Sequence, residues 1–65
     1  MNKFASLFNE NMSDAESSNI LFEAAKTISN DEKKELLEAF KENSFKIAKR
    51  IEREYGRLAM TNSNI

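Results

Sequence analysis

Apolar residues in the second half of the chain recur every three or four positions, which is the spacing of one helix face. The run extends from residue 31 to residue 60, and no proline interrupts it. This pattern predicts one long amphipathic helix over residues 31–60. The predicted apolar stripe consists of Leu36, Leu37, Phe40, Ser44, Ile47, Ala48, Ile51, Tyr55, Leu58 and Ala59.

The residues at the start of this helix carry a capping signal. Ser29 and Glu32 have the spacing of a capping box, in which each side chain accepts a hydrogen bond from the other residue's free backbone N–H. Gly56 is the weak point of the run, because glycine inside a helix costs about 1 kcal/mol relative to alanine. We therefore expect the helix to fray or end near Gly56, and residues 61–65 to form a frayed tail.

The N-terminal segment has a short apolar pattern of its own. Phe4, Leu7 and Phe8 lie at positions i, i+3 and i+4, which predicts a short helix over residues 2–9. A helix of that length is not stable in isolation. We therefore expect this segment to dock on the rest of the chain.

A second capping box opens the middle of the sequence. Ser13 and Glu16 have the required spacing, and the apolar residues that follow predict a helix over residues 14–28. The connector between residues 28 and 31 is short, which favours an antiparallel pair of helices. The predicted fold is therefore all-α: a helical hairpin with a short N-terminal helix, in a single domain spanning residues 1–65.

The two predicted hairpin helices differ in length by about a factor of two. At about 1.5 Å per residue, the shorter helix cannot cover the half of the stripe around Ile51, Tyr55 and Leu58. Either the Phe4–Phe8 segment or a second chain could cover it, and we expect a homodimer in which two hairpins form a helical bundle. Ser44 interrupts the stripe, either as a polar register device or as a small residue that lets another helix approach closely. The residues predicted for the core or dimer stripe are Leu37, Phe40, Ile47, Ile51, Tyr55 and Leu58.

Composition narrows the function classes. The chain has no cysteine and no histidine, so disulfides and the ordinary zinc and haem sites are excluded. The carboxylates that could suggest a catalytic or metal site, Glu32, Glu35, Glu38 and Glu42, are predicted to lie on the solvent face. We expect a cytoplasmic protein that is not an enzyme, with no cofactor, no metal and no small-molecule substrate. No apolar run approaches the roughly 20 residues of a membrane span, so no membrane association is predicted.

The net charge of −1 hides an asymmetry along the chain. Residues 1–40 carry four basic and eight acidic side chains, whereas residues 41–65 carry six basic and three acidic ones. Five of the basic side chains lie on one face of the long helix, opposite the stripe, and we call them the basic ridge. This pattern is typical of a solvated helix face, but it also suits phosphate groups or an acidic protein. The ridge consists of Lys46, Lys49, Arg50, Arg53 and Arg57.

Two phenylalanines fall outside the predicted core. Phe22 and Phe45 lie to the side of their helices' apolar seams, which indicates either a partner surface or further intrachain packing. Our interpretation is a protein-binding regulator or inhibitor that acts as a homodimer, with a composition that suggests a phage or mobile element. The alternative is a nucleic-acid-binding regulator that uses the basic ridge. The predicted partner-binding residues are Phe22, Phe45, Lys46, Lys49, Arg50, Arg53 and Arg57.

Overall fold

The computed structural model describes the backbone of residues 2–63 and the side chains of residues 2–58. It contains a 3₁₀ turn at Ala5–Leu7 and two helices, α1 (Asp14–Ala25) and α2 (Asn30–Ser63), and no strand is present in that range. The two helices pack against each other as a hairpin. The predicted all-α hairpin is therefore confirmed.

Both helices begin at the capping residues that the sequence indicates. The Ser13 hydroxyl accepts a hydrogen bond from the Glu16 amide at 3.1 Å. At the start of α2 the box is reciprocal: the Glu32 amide donates to the Ser29 hydroxyl at 3.2 Å, and the Ser29 amide donates to the Glu32 carboxylate at 3.3 Å. These side chains satisfy backbone donors that a helix start leaves without intrahelical partners.

The helix ends differ from the predicted boundaries. α1 ends at Ala25 rather than at residue 28, because the next two amides bond to carbonyls three residues back and close the chain into a turn. α2 runs to Ser63, so it passes through Gly56 and extends beyond residue 60. Gly56 adopts no left-handed conformation, and a penalty of about 1 kcal/mol is too small to interrupt so long a helix. Only residues 64 and 65 of the predicted frayed tail lie outside the described residues.

The predicted helix over residues 2–9 is instead an irregular segment that contains one 3₁₀ turn, Ala5–Leu7. The Leu7 and Phe8 amides donate to carbonyls three residues back, at 3.1 and 3.3 Å. A segment this short gains little from helix formation alone, so its docking contacts decide its conformation. We call residues 2–12 the N-terminal strap.

The centre of the strap is anchored by an aromatic contact. The Phe8 side chain is buried, and its ring meets the Phe40 ring edge-on, with 6.0 Å between the centroids and an interplanar angle of 69°. This arrangement is favourable for two aromatic rings, and it removes a large apolar side chain from water. Phe8, Leu36 and Ala39 form the buried cluster against which α1 packs.

Polar contacts hold the strap on either side of Phe8. Near the start of the chain, the Asn2 amide group donates to the carbonyl oxygen of Glu35 at 2.7 Å, and the Lys3 ammonium pairs with the Glu32 carboxylate. Further along the strap, the amide group of the buried Asn43 donates to a strap carbonyl, that of Asn9, at 3.1 Å. The strap is thus held on α2 by contacts from Glu32 to Asn43, over about three helical turns.

The covered face of α2 is rotated from the predicted stripe. Leu36 and Ile47 are almost fully buried, as are Ala39 and Asn43, which lie outside the predicted stripe. Leu37, which belongs to that stripe, is 42% exposed. The reason is that two segments pack on α2. One is α1, and the other is the strap, which covers the adjacent side that carries Ala39 and Asn43.

We predict that Phe8→Ala lowers the free energy of unfolding by about 3 kcal/mol, because it removes a buried ring and leaves a cavity beside Phe40. Urea unfolding followed by circular dichroism measures the change. Phe45→Ala is the matched control, because the Phe45 ring is exposed and its loss is expected to cost at most about 0.5 kcal/mol. Equal losses for the two variants would contradict the anchoring role of Phe8.

The Lys3–Glu32 pair predicts a pH-dependent contribution to stability. The hydrogen bond from Lys3 holds the pKa of Glu32 below its usual value of 4.5, and the same bond to Glu32 raises the pKa of Lys3 above 10.5. The stabilisation is therefore present at neutral pH. It is lost as pH falls through the lowered pKa of Glu32, and again as pH rises through the raised pKa of Lys3.

The measurement compares the urea midpoints of the natural protein and Lys3→Met across this pH range. We expect a small deficit for the variant at neutral pH, since an exposed pair contributes little, and no deficit in acid where Glu32 is protonated. Lys33→Met, which changes an exposed lysine of α2, serves as the control. A deficit that stays constant in strong acid would show that the pair does not act through charge.

Candidate interaction surface

The C-terminal half of α2 projects beyond the cover that the hairpin provides. Among the described side chains of α2, residues 30–58, Ile47 is the last that is buried, and every side chain from Ile51 to Leu58 is exposed. Tyr55 is 71% exposed, Leu58 60% and Ile51 41%. Length explains this, because the 12 residues of α1 span about 18 Å and the 34 residues of α2 span about 51 Å.

The uncovered apolar residues form a heptad pattern that is continuous with the N-terminal half of α2. Their spacing alternates between three and four residues, with one gap of seven, as expected for a seam that packs on another helix. We call this set the open stripe. The open stripe consists of the exposed residues Leu37, Ala48, Ile51, Tyr55 and Leu58, together with Ser44, which is polar and half-buried and occupies the heptad position before Ala48.

The structure therefore divides the predicted core or dimer stripe into two parts. Ile47 is buried and Phe40 is half-buried, and both face the intramolecular core. The remaining four residues of that prediction lie on the open stripe. Position 41 continues the same heptad seam between Leu37 and Ser44 and is occupied by the exposed Lys41.

The two candidate phenylalanine anchors are exposed on different helices. Phe22 on α1 is 67% exposed and lies away from the residues that pack on the core. Phe45 on α2 is 64% exposed, and the Lys49 ammonium lies 5.4 Å from the centre of its ring. The lysine thus partly covers one face of Phe45 through a cation–π contact. Phe22 has the more accessible ring.

The basic ridge is a surface of mixed charge. The Lys49 ammonium lies 3.6 Å from the Glu52 carboxylate. Arg50 is half-buried, and within the described residues its buried Nε has no hydrogen-bond partner. Lys46, Arg53 and Arg57 are exposed. Lys46 also lines a cleft of 440 Å³ together with two acidic side chains, Glu10 and Glu42. These acids reduce the positive potential that the ridge presents.

Sequence reasoning missed Ala39 and Asn43, which receive the strap. The side chain of Asn43 is polar and that of Ala39 is small, so neither stands out in an apolar periodicity. The buried Asn43 is explained by its bond to the Asn9 carbonyl, which joins residues 34 positions apart. No local signal in the sequence identifies such a long-range partner.

The acidic side chains in the described part of the chain do not form a metal site. No group of three or more acidic, histidine or cysteine side chains there could hold a metal ion. Glu32 and Glu35 of the acidic set instead contact the strap, through the Lys3 ammonium and the Lys3 amide. Neither described helix has the length and apolar character that crossing a membrane requires.

Comparison of the chain with protein-family models, with curated proteins and with solved structures found no match.

Proposed function

We propose that this chain is a non-enzymatic, protein-binding regulator that works as a homodimer and associates with other helices through the open stripe. The observation that carries the proposal is the row of exposed apolar side chains Ile51, Tyr55 and Leu58, which continues along α2 to Leu37. Large apolar side chains gathered in one exposed patch, rather than scattered singly, are characteristic of interaction sites.

The distribution of cover along α2 supports this role. The strap and α1 bury the N-terminal half of the helix, and the same helix continues past them with apolar residues in heptad spacing. A lone helix would gain nothing from that spacing in water, whereas a helix–helix contact would bury the stripe. The exposed Phe22 ring on α1 adds a second apolar anchor for a target.

The proposal is tested by site-specific photo-crosslinking in the cells that produce the chain. We expect p-benzoylphenylalanine in place of Tyr55 to form covalent protein adducts, because that position lies at the centre of the exposed C-terminal stripe. The same photo-reactive residue in place of Glu38, which is exposed on another face of α2, is the matched control. Mass spectrometry of the adducts identifies the partner, which is either a second copy or another protein.

Adducts at position 55 well above those at position 38 would support protein binding through the open stripe. Protein adducts of equal, low yield at both positions would overturn it. The Phe22→Ala variant tests whether Phe22 binds a target protein independently of the contacts that the open stripe makes. If Phe22 contacts a target protein, that substitution reduces capture of the target without reducing the yield of chain–chain adducts.

The second candidate function is nucleic-acid binding through the basic ridge. It is supported by the exposed side chains of Lys46 and Arg53 and by the basic excess of residues 41–65. Contacts of this kind go to phosphates and carry no base readout. The partial neutralisation of Lys49 by Glu52 is why we rank this function second.

A salt titration tests the second candidate. If the ridge contacts phosphates, binding to a labelled RNA or DNA duplex weakens steeply as salt rises, and Arg53→Gln reduces the slope of log affinity against log salt by about one. Lys26→Gln on α1 is the control, since Lys26 pairs with Glu23 away from the ridge. No binding at low salt would eliminate this candidate.

A further inference from the structure

We infer that the open stripe is covered by a second copy of this chain in antiparallel orientation, with Ala48 of each chain packed against the partner's Ile51. This inference rests on the proposed function, because it names the occupant of the same surface. It also fixes the relative orientation and the register of the two helices.

The register follows from the sizes of the side chains along the stripe. In an antiparallel pair of helices, each core layer joins one of the two heptad positions to the other position of the partner. Pairing Ala48 with the partner's Ile51 places Ser44 beside the partner's Tyr55. Each small side chain then meets a large one, so the layers fill evenly and leave no void.

A parallel pair in register would fill the same stripe poorly. Ser44 would face Ser44 of the partner subunit and Ala48 would face Ala48 of the partner subunit, so two adjacent layers would contain only small side chains. Lys41 would also face Lys41 of the partner subunit, which places like charges together in the seam. In the antiparallel register Lys41 instead lies beside the partner's Leu58, where its methylene stem can cover the leucine while the ammonium stays in water.

The charges at the edges of the seam are compatible with the antiparallel register. Glu52 and Glu54 flank the exposed C-terminal part of the stripe. Heptad geometry places Glu52 opposite the partner's Phe45 and Glu54 opposite the partner's Ile47, so neither faces another carboxylate. Like charges directly opposed across the two helices would disfavour the pair.

The lengths of the helices favour the same orientation. Side chains 51–58 lie beyond the hairpin's own cover, and in this register they lie beside the partner's residues 41–48. That part of the partner belongs to its own hairpin, so each uncovered segment gains a neighbour that is already held in place by α1 and the strap. The same contact is made twice, once by the exposed segment of each copy, as a twofold-symmetric interface requires.

Disulfide trapping tests the register directly, because the natural chain has no cysteine that could interfere. We expect a mixture of Lys41→Cys and Leu58→Cys chains to form a mixed disulfide dimer under mild oxidation. Neither variant alone should form its own disulfide dimer efficiently, because like positions lie far apart in the antiparallel pair. Efficient homodimer formation by either variant alone would overturn the antiparallel register.

Sedimentation equilibrium provides a second measurement that does not depend on cysteine chemistry. We expect the natural protein to sediment at twice its chain mass of 7.5 kDa, and Ala48→Glu to weaken association by roughly tenfold or more, since a buried carboxylate is strongly unfavourable. Ala48 is exposed in the single chain, so the variant can still fold. The matched control is Ala15→Glu, at an exposed alanine of α1, and it should leave the mass unchanged.

The outcomes separate this inference from the proposed function. A natural protein that sediments at 7.5 kDa at high concentration would eliminate the second copy as occupant. Photo-adducts of another protein at position 55 would then still support protein binding through the open stripe, but the homodimer of the proposed function would be eliminated. If the photo-reactive residue at position 55 forms adducts neither with a second copy nor with another protein, and the chain stays monomeric, the proposed function and the antiparallel dimer are both wrong.

Discussion

The fold depends on one constraint: a helix of 34 residues cannot bury its own apolar face, and this chain has few other residues with which to bury it. The strap and α1 supply what cover there is. Phe8 is the central contact of that cover, because this strap residue packs against the ring of Phe40 and forms the buried cluster with Leu36 and Ala39. A domain of this size has a small core, so the loss of one such contact removes a large share of the stability.

That cover stops abruptly near Ile47, and the helix continues for about four more turns. The protein therefore has one end that is stabilised by hydrogen bonds and apolar packing, and a projecting end whose described large apolar side chains, Ile51, Tyr55 and Leu58, face solvent. The function that we propose follows from this division, because the projecting end can bury its residues only against another molecule. The basic ridge lies on a different side of the same helix, where neighbouring acids moderate its charge.

The strap and the open stripe lie on different sides of α2, so the same helix can pack within the hairpin and also bind a partner helix. The strap covers the side of α2 that carries Ala39 and Asn43, and α1 packs against the buried cluster that contains Leu36. Leu37, Ile51 and Tyr55 lie on a third side and remain accessible. A partner helix on that third side would leave the intramolecular contacts in place, so binding would require no unfolding of the hairpin.

The sequence by itself determined the all-α class, the two long helical segments and their capping residues, because these depend on periodicity and on contacts within one turn. The spacing also indicated that Ile51, Tyr55 and Leu58 would lack cover, since helix length follows directly from residue number. The tertiary structure decided the rest. Whether residues 2–9 are helical and which side of α2 the strap buries depend on contacts between residues more than 30 positions apart. Where α1 stops depends on the turn that leads into α2. The Asn43–Asn9 bond shows the reason: its partners are polar, distant in sequence and recognisable only once the strap has docked.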